Sequence, residues 1–121
     1  MNKLITSLAI VALSLKSFAG DCPALSGEFT VGKGENADFS TITDAANALK
    51  CGGVSGPVTF LLEDGTYNER LVLSSIPGAS NFNTVTFESK SGNNADVVIS
   101  YGSGDATAVL NGVAYVSFEN L

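Results

Sequence analysis

Three acids, Glu63, Asp64 and Glu69, stand close together near the middle of the chain, and their type best suits chemistry. Paired carboxylates cleave glycosidic bonds when held several ångströms apart across a sugar. Adjacent residues of a strand, however, point to opposite faces, so Glu63 and Asp64 would not meet the same substrate. Asp64-Gly65 reads better as turn chemistry. A second candidate is Gly27-x-x-x-x-Gly32-Lys33, which nearly matches a phosphate-binding loop. Gly34 stands where that loop needs a Ser or Thr on Mg²⁺, so the match is read as accidental. Asn93, Asn94, Asp96 and Asp105 supply oxygen ligands of the kind Ca²⁺ takes, but their spacing fits no calcium loop and they read as a solvated connection. Tyr67, Tyr101 and Tyr115 have amphipathic rings that stack on sugars and also serve at strand corners without any ligand.

Absences narrow the chemistry further. The sequence holds no histidine and no tryptophan. Without histidine, neither a Ser/His or Cys/His nucleophile pair nor a histidine-ligated zinc site is built from this chain alone. The 121 residues carry twelve acids and six bases, a net charge of −6. Such a surface repels phosphate backbones, which argues against nucleic acid as a partner. At this length one domain is expected.

Residues 1–19 read as a secretory signal peptide. Lys3 forms the positive start, Leu4 to Leu15 an apolar run of 12 residues, and Ser17-Phe18-Ala19 the small-residue site for cleavage before Gly20. A membrane-crossing helix needs roughly 20 apolar residues, so this run is too short to span. A lipid anchor on Cys22 is disfavoured because Ala19-Gly20-Asp21 makes a poor lipidation box. Export also sets how the cysteines read. Cys22 and Cys51 are the only two, and in an oxidising compartment they are expected to form a disulfide, the alternative being two free thiols.

The candidates must be positioned by short strands and one helix. Gly27–Val31 alternates like a strand and leads into a turn over 32–38. The stretch 41–50 is helical: Ile42, Ala45, Ala46 and Leu49 share one face, Thr41 and Asp44 resemble a capping box, and Gly52-Gly53 forms the stop. Beyond Val54 only strands are expected, at 58–60, 71–73, 85–87, 97–99, 108–110 and 116–118. Val58-Thr-Phe, Val85-Thr-Phe and Val116-Ser-Phe repeat one form at spacings of 27 and then 31 residues, while 71–73 and 97–99 lie 26 apart. A period of that size with several strands in it marks a solenoid. A β-sandwich, with strands every 8–12 residues, is the alternative. In a solenoid Thr59, Thr86 and Ser117 align in one ladder and Phe60, Phe87 and Phe118 in another, with the helix covering the open N-terminal end.

The run Thr30–Ala45, containing Asp38-Phe-Ser-Thr-Ile42, and the run Gly56–Glu69, containing Gly65-Thr-Tyr-Asn-Glu69, resemble the start of pectin-lyase-like right-handed parallel β-helix proteins. Pectinesterases open in a similar way, with a glycine-rich turn, an Asp-Phe-x-Thr-Ile helix start and a Gly-x-Tyr-x-Glu turn. The likeness covers residues 28–121. The segments 54–60 and 114–121 are similar to secreted surface proteins of the Bacteroidetes type. The resemblance implies an all-β fold, the start of a right-handed parallel β-helix with an N-terminal capping α-helix, over residues 20–121, and structural roles for Tyr67 and Glu69. It implies no catalytic residue here, because the family's catalytic aspartates, arginine and glutamines lie on later coils that nothing in this sequence matches. The chain is therefore expected to be the N-terminal piece of a longer protein, with the cap and the first two to three coils, or a truncated gene product. The expected function is a secreted or cell-surface module, with the periplasm as a further location. It would be structural, adhesive or glycan-binding, have a polysaccharide or surface glycan as partner, hold no cofactor, and touch no membrane after leader cleavage. The alternative is the front of a pectinesterase-like or polysaccharide-lyase enzyme.

Overall fold

The computed structural model describes residues 22–101 and 108–121. The signal peptide expected over 1–19 lies outside the described residues, as does Asp105. Among the described residues, eight strands and one helix follow in the order β1 (Leu25–Val31), α1 (Ile42–Gly52), β2 (Val54–Leu62), β3 (Gly65–Tyr67), β4 (Leu71–Leu73), β5 (Val85–Ser89), β6 (Val97–Ile99), β7 (Ala108–Leu110) and β8 (Val116–Glu119). No helix among the described residues is long and apolar enough to cross a membrane.

The helix forms where its cap, its stripe and its stop coincide. Thr41 is the N-cap, and its hydroxyl accepts from the Asp44 amide at 3.0 Å. The reciprocal half of the expected capping box is replaced: the Asp44 carboxylate accepts instead from the Ser40 hydroxyl at 3.2 Å. At the other end Gly53 adopts φ 69, a left-handed geometry that favours glycine, and its amide closes on the Leu49 carbonyl. Ile42, Ala45, Ala46 and Leu49 are buried, and α1 packs against β1 and β4. The disulfide between Cys22 and Cys51 ties the last turn of α1 to the residues ahead of β1, with Cα atoms 5.7 Å apart.

All strand pairing is parallel, which excludes the sandwich alternative among the described residues. The strands make three small sheets, one ordered β1-β2-β5-β8 and two of a single pair each, β3-β6 and β4-β7. Their registers set columns of like residues. Thr59, Thr86 and Ser117 stand abreast, as do Phe60, Phe87 and Phe118. Phe29 extends the aromatic column, and its successive rings lie 5.9, 4.9 and 5.4 Å apart. Those separations are stacking distances, so each ring shields the next from water. Alternation along β2 does the rest: Val58, Phe60 and Leu62 are buried while Pro57 is exposed, which puts one face of the sheet in the core.

Two expectations need correction. Gly65–Tyr67, read as a turn, is strand β3. It takes the place expected of 71–73: Val97–Ile99 pairs with Gly65–Tyr67, and Leu71–Leu73 pairs with Ala108–Leu110. Both shifts share one cause. Tyr67 is a buried inward residue, in column with Ile99, and burying it needs a strand where Gly65 gave a turn signal. The helix also runs to Gly52 rather than Lys50.

One column changes character along its length. Val31, Leu62 and Ser89 occupy successive places, and the Ser89 hydroxyl is buried with no hydrogen-bond partner. A buried hydroxyl left unpaired carries its full desolvation cost. Ser89→Ala is therefore expected to raise the unfolding free energy by about 1 kcal/mol, read from the urea midpoint. An unchanged or lower midpoint would count against the unpaired state of this hydroxyl.

Candidate functional site

A cleft of about 450 Å³ opens where three segments meet: the turn at Gly32 and Lys33, the helix start at Ser40 and Thr41, and residues 63–69. It gathers Glu63, Asp64 and Glu69, so the structure does bring the candidate carboxylates together. What matters is how each is already engaged.

Glu69 follows β3, and its carboxylate turns back onto the first turn of α1. One oxygen accepts from the Ile42 amide at 3.1 Å, and the other accepts from the Thr43 amide at 2.8 Å and the Thr43 hydroxyl at 2.7 Å. A helix N-terminus leaves its first amides unpaired and carries partial positive charge, so an anion there satisfies both needs. Glu63 accepts from the Gly34 amide at 2.9 Å and thereby pins the glycine-rich turn. A side chain at Gly32 would run into the Cβ of Glu63, and its backbone has a positive φ, which explains glycine there. Asp38 similarly accepts from the Thr30 amide at 2.9 Å. Asp64 is exposed on the rim.

Tyr67 supports this lattice from below. Its hydroxyl donates to the Glu63 carbonyl at 2.6 Å and lies 3.2 Å from the Val31 carbonyl, while its ring is buried. The ring is thus closed to a sugar. Burial pushes this hydroxyl above the ordinary tyrosine value of 10.0, and the carboxylates of Glu63, Glu69 and Asp64 push the same way. The unfolded chain loses that proton first as pH rises. The stability Tyr67 contributes is therefore complete below the ordinary value and declines from there up to the folded one. Urea midpoints should fall as the pH rises above the ordinary tyrosine value of 10.0, and more shallowly in Tyr67→Phe. Equal slopes in the two proteins would refute the assignment.

The other candidates disperse. Residues 27–31 belong to β1, so the near match to a phosphate loop has no loop. Asn93 accepts from the Ala95 amide at 2.9 Å, and Asp96 accepts from the Ser91 hydroxyl at 2.9 Å, contacts that fold the 91–96 connection on itself. Among the described residues no group of three or more Cys, Asp or Glu side chains is placed to hold a metal ion. Arg70 lies 5.9 Å over the Tyr101 ring, and Tyr115 is half exposed.

No family model, no curated protein and no solved structure matches this chain. Function therefore rests on the geometry itself. Here the cleft acts as a joint: its carboxylates hold backbone amides of the glycine-rich turn and the helix. The outer face of the β1-β2-β5-β8 sheet is the other surface with chemistry to offer. Thr59, Thr86 and Ser117 form its hydroxyl row, with the last two oxygens 3.2 Å apart, and Glu88 and Glu119 stand abreast beside them. Phe82, at 79% exposure the barest large apolar residue described, was missed in the sequence. Its signal was an aromatic alone among turn-formers, Ser80-Asn-Phe-Asn83.

Proposed function

We propose that residues 20–121 are the helix-capped start of a right-handed parallel β-helix that leaves the cell. In this reading it works as a secreted or cell-surface module, structural, adhesive or glycan-binding, with no active site of its own. The observation that carries the reading is the contrast between the two polar surfaces. Glu63 and Glu69 are engaged by backbone amides, whereas the hydroxyl row Thr59, Thr86 and Ser117 lies on the outer side of a parallel sheet. Hydroxyls that both donate and accept suit the hydroxyls of a sugar, and the exposed Phe82 and Tyr115 offer ring faces for stacking. Export is supported by the Cys22–Cys51 disulfide, because such bonds persist in oxidising compartments.

Charge selects the kind of glycan. With a net charge of −6 the chain repels polyuronates, so neutral polysaccharide is the favoured partner. Retention of the purified chain on insoluble xylan or β-glucan, and not on polygalacturonate, is the expected result. Thr86→Val keeps the shape and removes one hydroxyl, and should weaken retention about 3- to 10-fold with an unchanged circular dichroism spectrum. Absence of retention on every neutral polysaccharide would overturn the glycan reading. Methanol release from pectin by the same preparation would establish the pectinesterase-like alternative instead.

A further inference from the structure

Two connections stacked at one corner of the fold differ in length. Residues 74–84 join β4 to β5, and residues 111–115 join β7 to β8. Their ends lie directly on each other: the Asn111 amide donates to the Leu73 carbonyl at 2.9 Å, and the Val85 amide donates to the Tyr115 carbonyl at 2.8 Å. The longer connection therefore bulges from the side of the stack, where coils laid on β8 would not cover it. Phe82 stands on this bulge at 79% exposure. The bulge is closed on itself. The Ser80 hydroxyl accepts from the Phe82 and Asn83 amides, both at 3.1 Å, and the backbones of Ser80 and Asn83 bond each other in both directions. The Asn83 side-chain amide donates to the Gly78 carbonyl at 3.2 Å, and the Pro77 carbonyl accepts from the Val54 amide of β2 at 2.9 Å. With the loop held in this way, little ordering entropy is lost when a ligand meets the ring.

What surrounds the ring decides what it meets. The chain holds twelve acids, yet residues 52–62 and 71–87, which supply β2, β4, the bulge and most of β5, carry no charge. A lipid surface is gripped by basic side chains beside a broad apolar face, and residues 71–87 hold no basic side chain. A protein partner is anchored by rings packed among near-neutral contacts that exclude water. Here the neighbours are polar: Asn81 and Thr84 are exposed, and Ser80 and Asn83 are half-buried. Amides and hydroxyls donate and accept, as the hydroxyls of a sugar do. Thr84 and Thr86 flank the buried Val85, so both point outward, about 7 Å apart along the strand. The bulge thus leads into the hydroxyl row of the outer face.

We propose that Phe82 is the stacking platform for one sugar of a flat, β-1,4-linked neutral chain of gluco or xylo configuration, with Asn81 and Thr84 meeting its hydroxyls and Thr86 the next sugar along. The assignment rests on the glycan-binding reading above and narrows its substrate class. Pyranoses with every hydroxyl equatorial present C–H groups on both faces, which suits an aromatic ring without a polar handle. Linked through equatorial oxygens they form a flat ribbon that reaches from Phe82 to Thr86. Linkage through the axial O4 of galactose bends the chain away from that line.

Titration calorimetry with cellohexaose and with β-1,4-galactohexaose tests this. Cellohexaose should bind saturably and about tenfold tighter than galactohexaose. Phe82→Ala should weaken cellohexaose about fivefold with an unchanged circular dichroism spectrum, Phe82→Tyr should keep the affinity, and Phe82→Leu, apolar without a ring, should not. Cellohexaose should also shift the amide resonances of Asn81 to Thr84 together with that of Thr86. Failure of the unaltered chain to bind either hexaose would overturn the glycan reading and this assignment with it. Binding that Thr86→Val weakens and Phe82→Ala leaves alone would overturn this assignment only. Equal affinities for the two hexaoses, or Phe82→Leu matching Phe82→Tyr, would overturn it as well. So would self-association of the chain in the ultracentrifuge that Phe82→Ala abolishes, which would give the ring to a second copy.

Discussion

Phe60→Ala is expected to lower the unfolding free energy by about 3–5 kcal/mol, the range for emptying a fully buried aromatic site. Phe60 is wholly buried at the centre of an aromatic cluster: Phe29 and Phe39 lie 5.9 Å from it and Phe87 lies 4.9 Å away. Removing that ring strips an aromatic neighbour from three others at once, stacked on Phe87, tilted against Phe29 and edge-on to Phe39, and leaves a cavity between two parallel strands that share backbone hydrogen bonds. The strands cannot close on the void without breaking register, so little of the loss is recovered. A chain this small has about 5–10 kcal/mol in total, so one substitution removes a large share. Position along the column sets the scale. Phe118→Ala, at a residue already 39% exposed, should cost less than about half as much, since less apolar surface returns to water. Urea titrations of the two variants decide the matter. Equal losses at Phe60 and Phe118 would mean that the column does not carry the core.

That column was legible in the sequence because like residues recurred at a period no local turn explains. Stacking places each residue on its counterpart, so the repeated β-branched–hydroxyl–Phe form gave register as well as strand position. The same method misassigned 71–73 for a physical reason. Equal spacing is evidence of stacking only where the connections between strands have equal length, and the chain from Ile99 to Ala108 adds residues before the partner of Leu71 arrives. Gly65–Tyr67 escaped notice because three residues led by a glycine carry no alternation, and only Tyr67 is anchored inward. The site was legible in its membership and not in its wiring. Glu63, Asp64 and Glu69 could be seen as a cluster, whereas the pairing of Glu69 with the amides of Ile42 and Thr43 depends on how the chain returns past α1. Sequence order names the capping residue within a helix start and is silent on a carboxylate that arrives from another element. Ser89 shows the opposite: once register is known, its place after Val31 and Leu62 follows directly.

Removing the disulfide should cost about 3.5 kcal/mol, the chain-entropy value for a loop of this size. Cys22 and Cys51 are separated by 29 residues, and the loop they close contains β1, the glycine-rich turn and all but the last residue of α1. Freed of the link, the unfolded ensemble gains the most, because the residues ahead of β1 and the end of the helix no longer travel together. The folded state keeps a reason to hold that geometry. A side chain at Gly52 would meet the Pro23 carbonyl, so helix end and N-terminal segment are already in close contact, and the Leu25 amide donates to the Gly53 carbonyl at 2.9 Å. Cys22→Ser with Cys51→Ser should therefore leave the circular dichroism of the folded protein unchanged while moving the urea midpoint down. The slope of the transition should steepen, since an uncrosslinked chain exposes more surface when it unfolds. Dithiothreitol on the unaltered protein should reproduce the shift. An unmoved midpoint in the double variant would place the stabilisation elsewhere in the α1–β1 contact. A lost folded spectrum would show that the link is needed to form that contact at all.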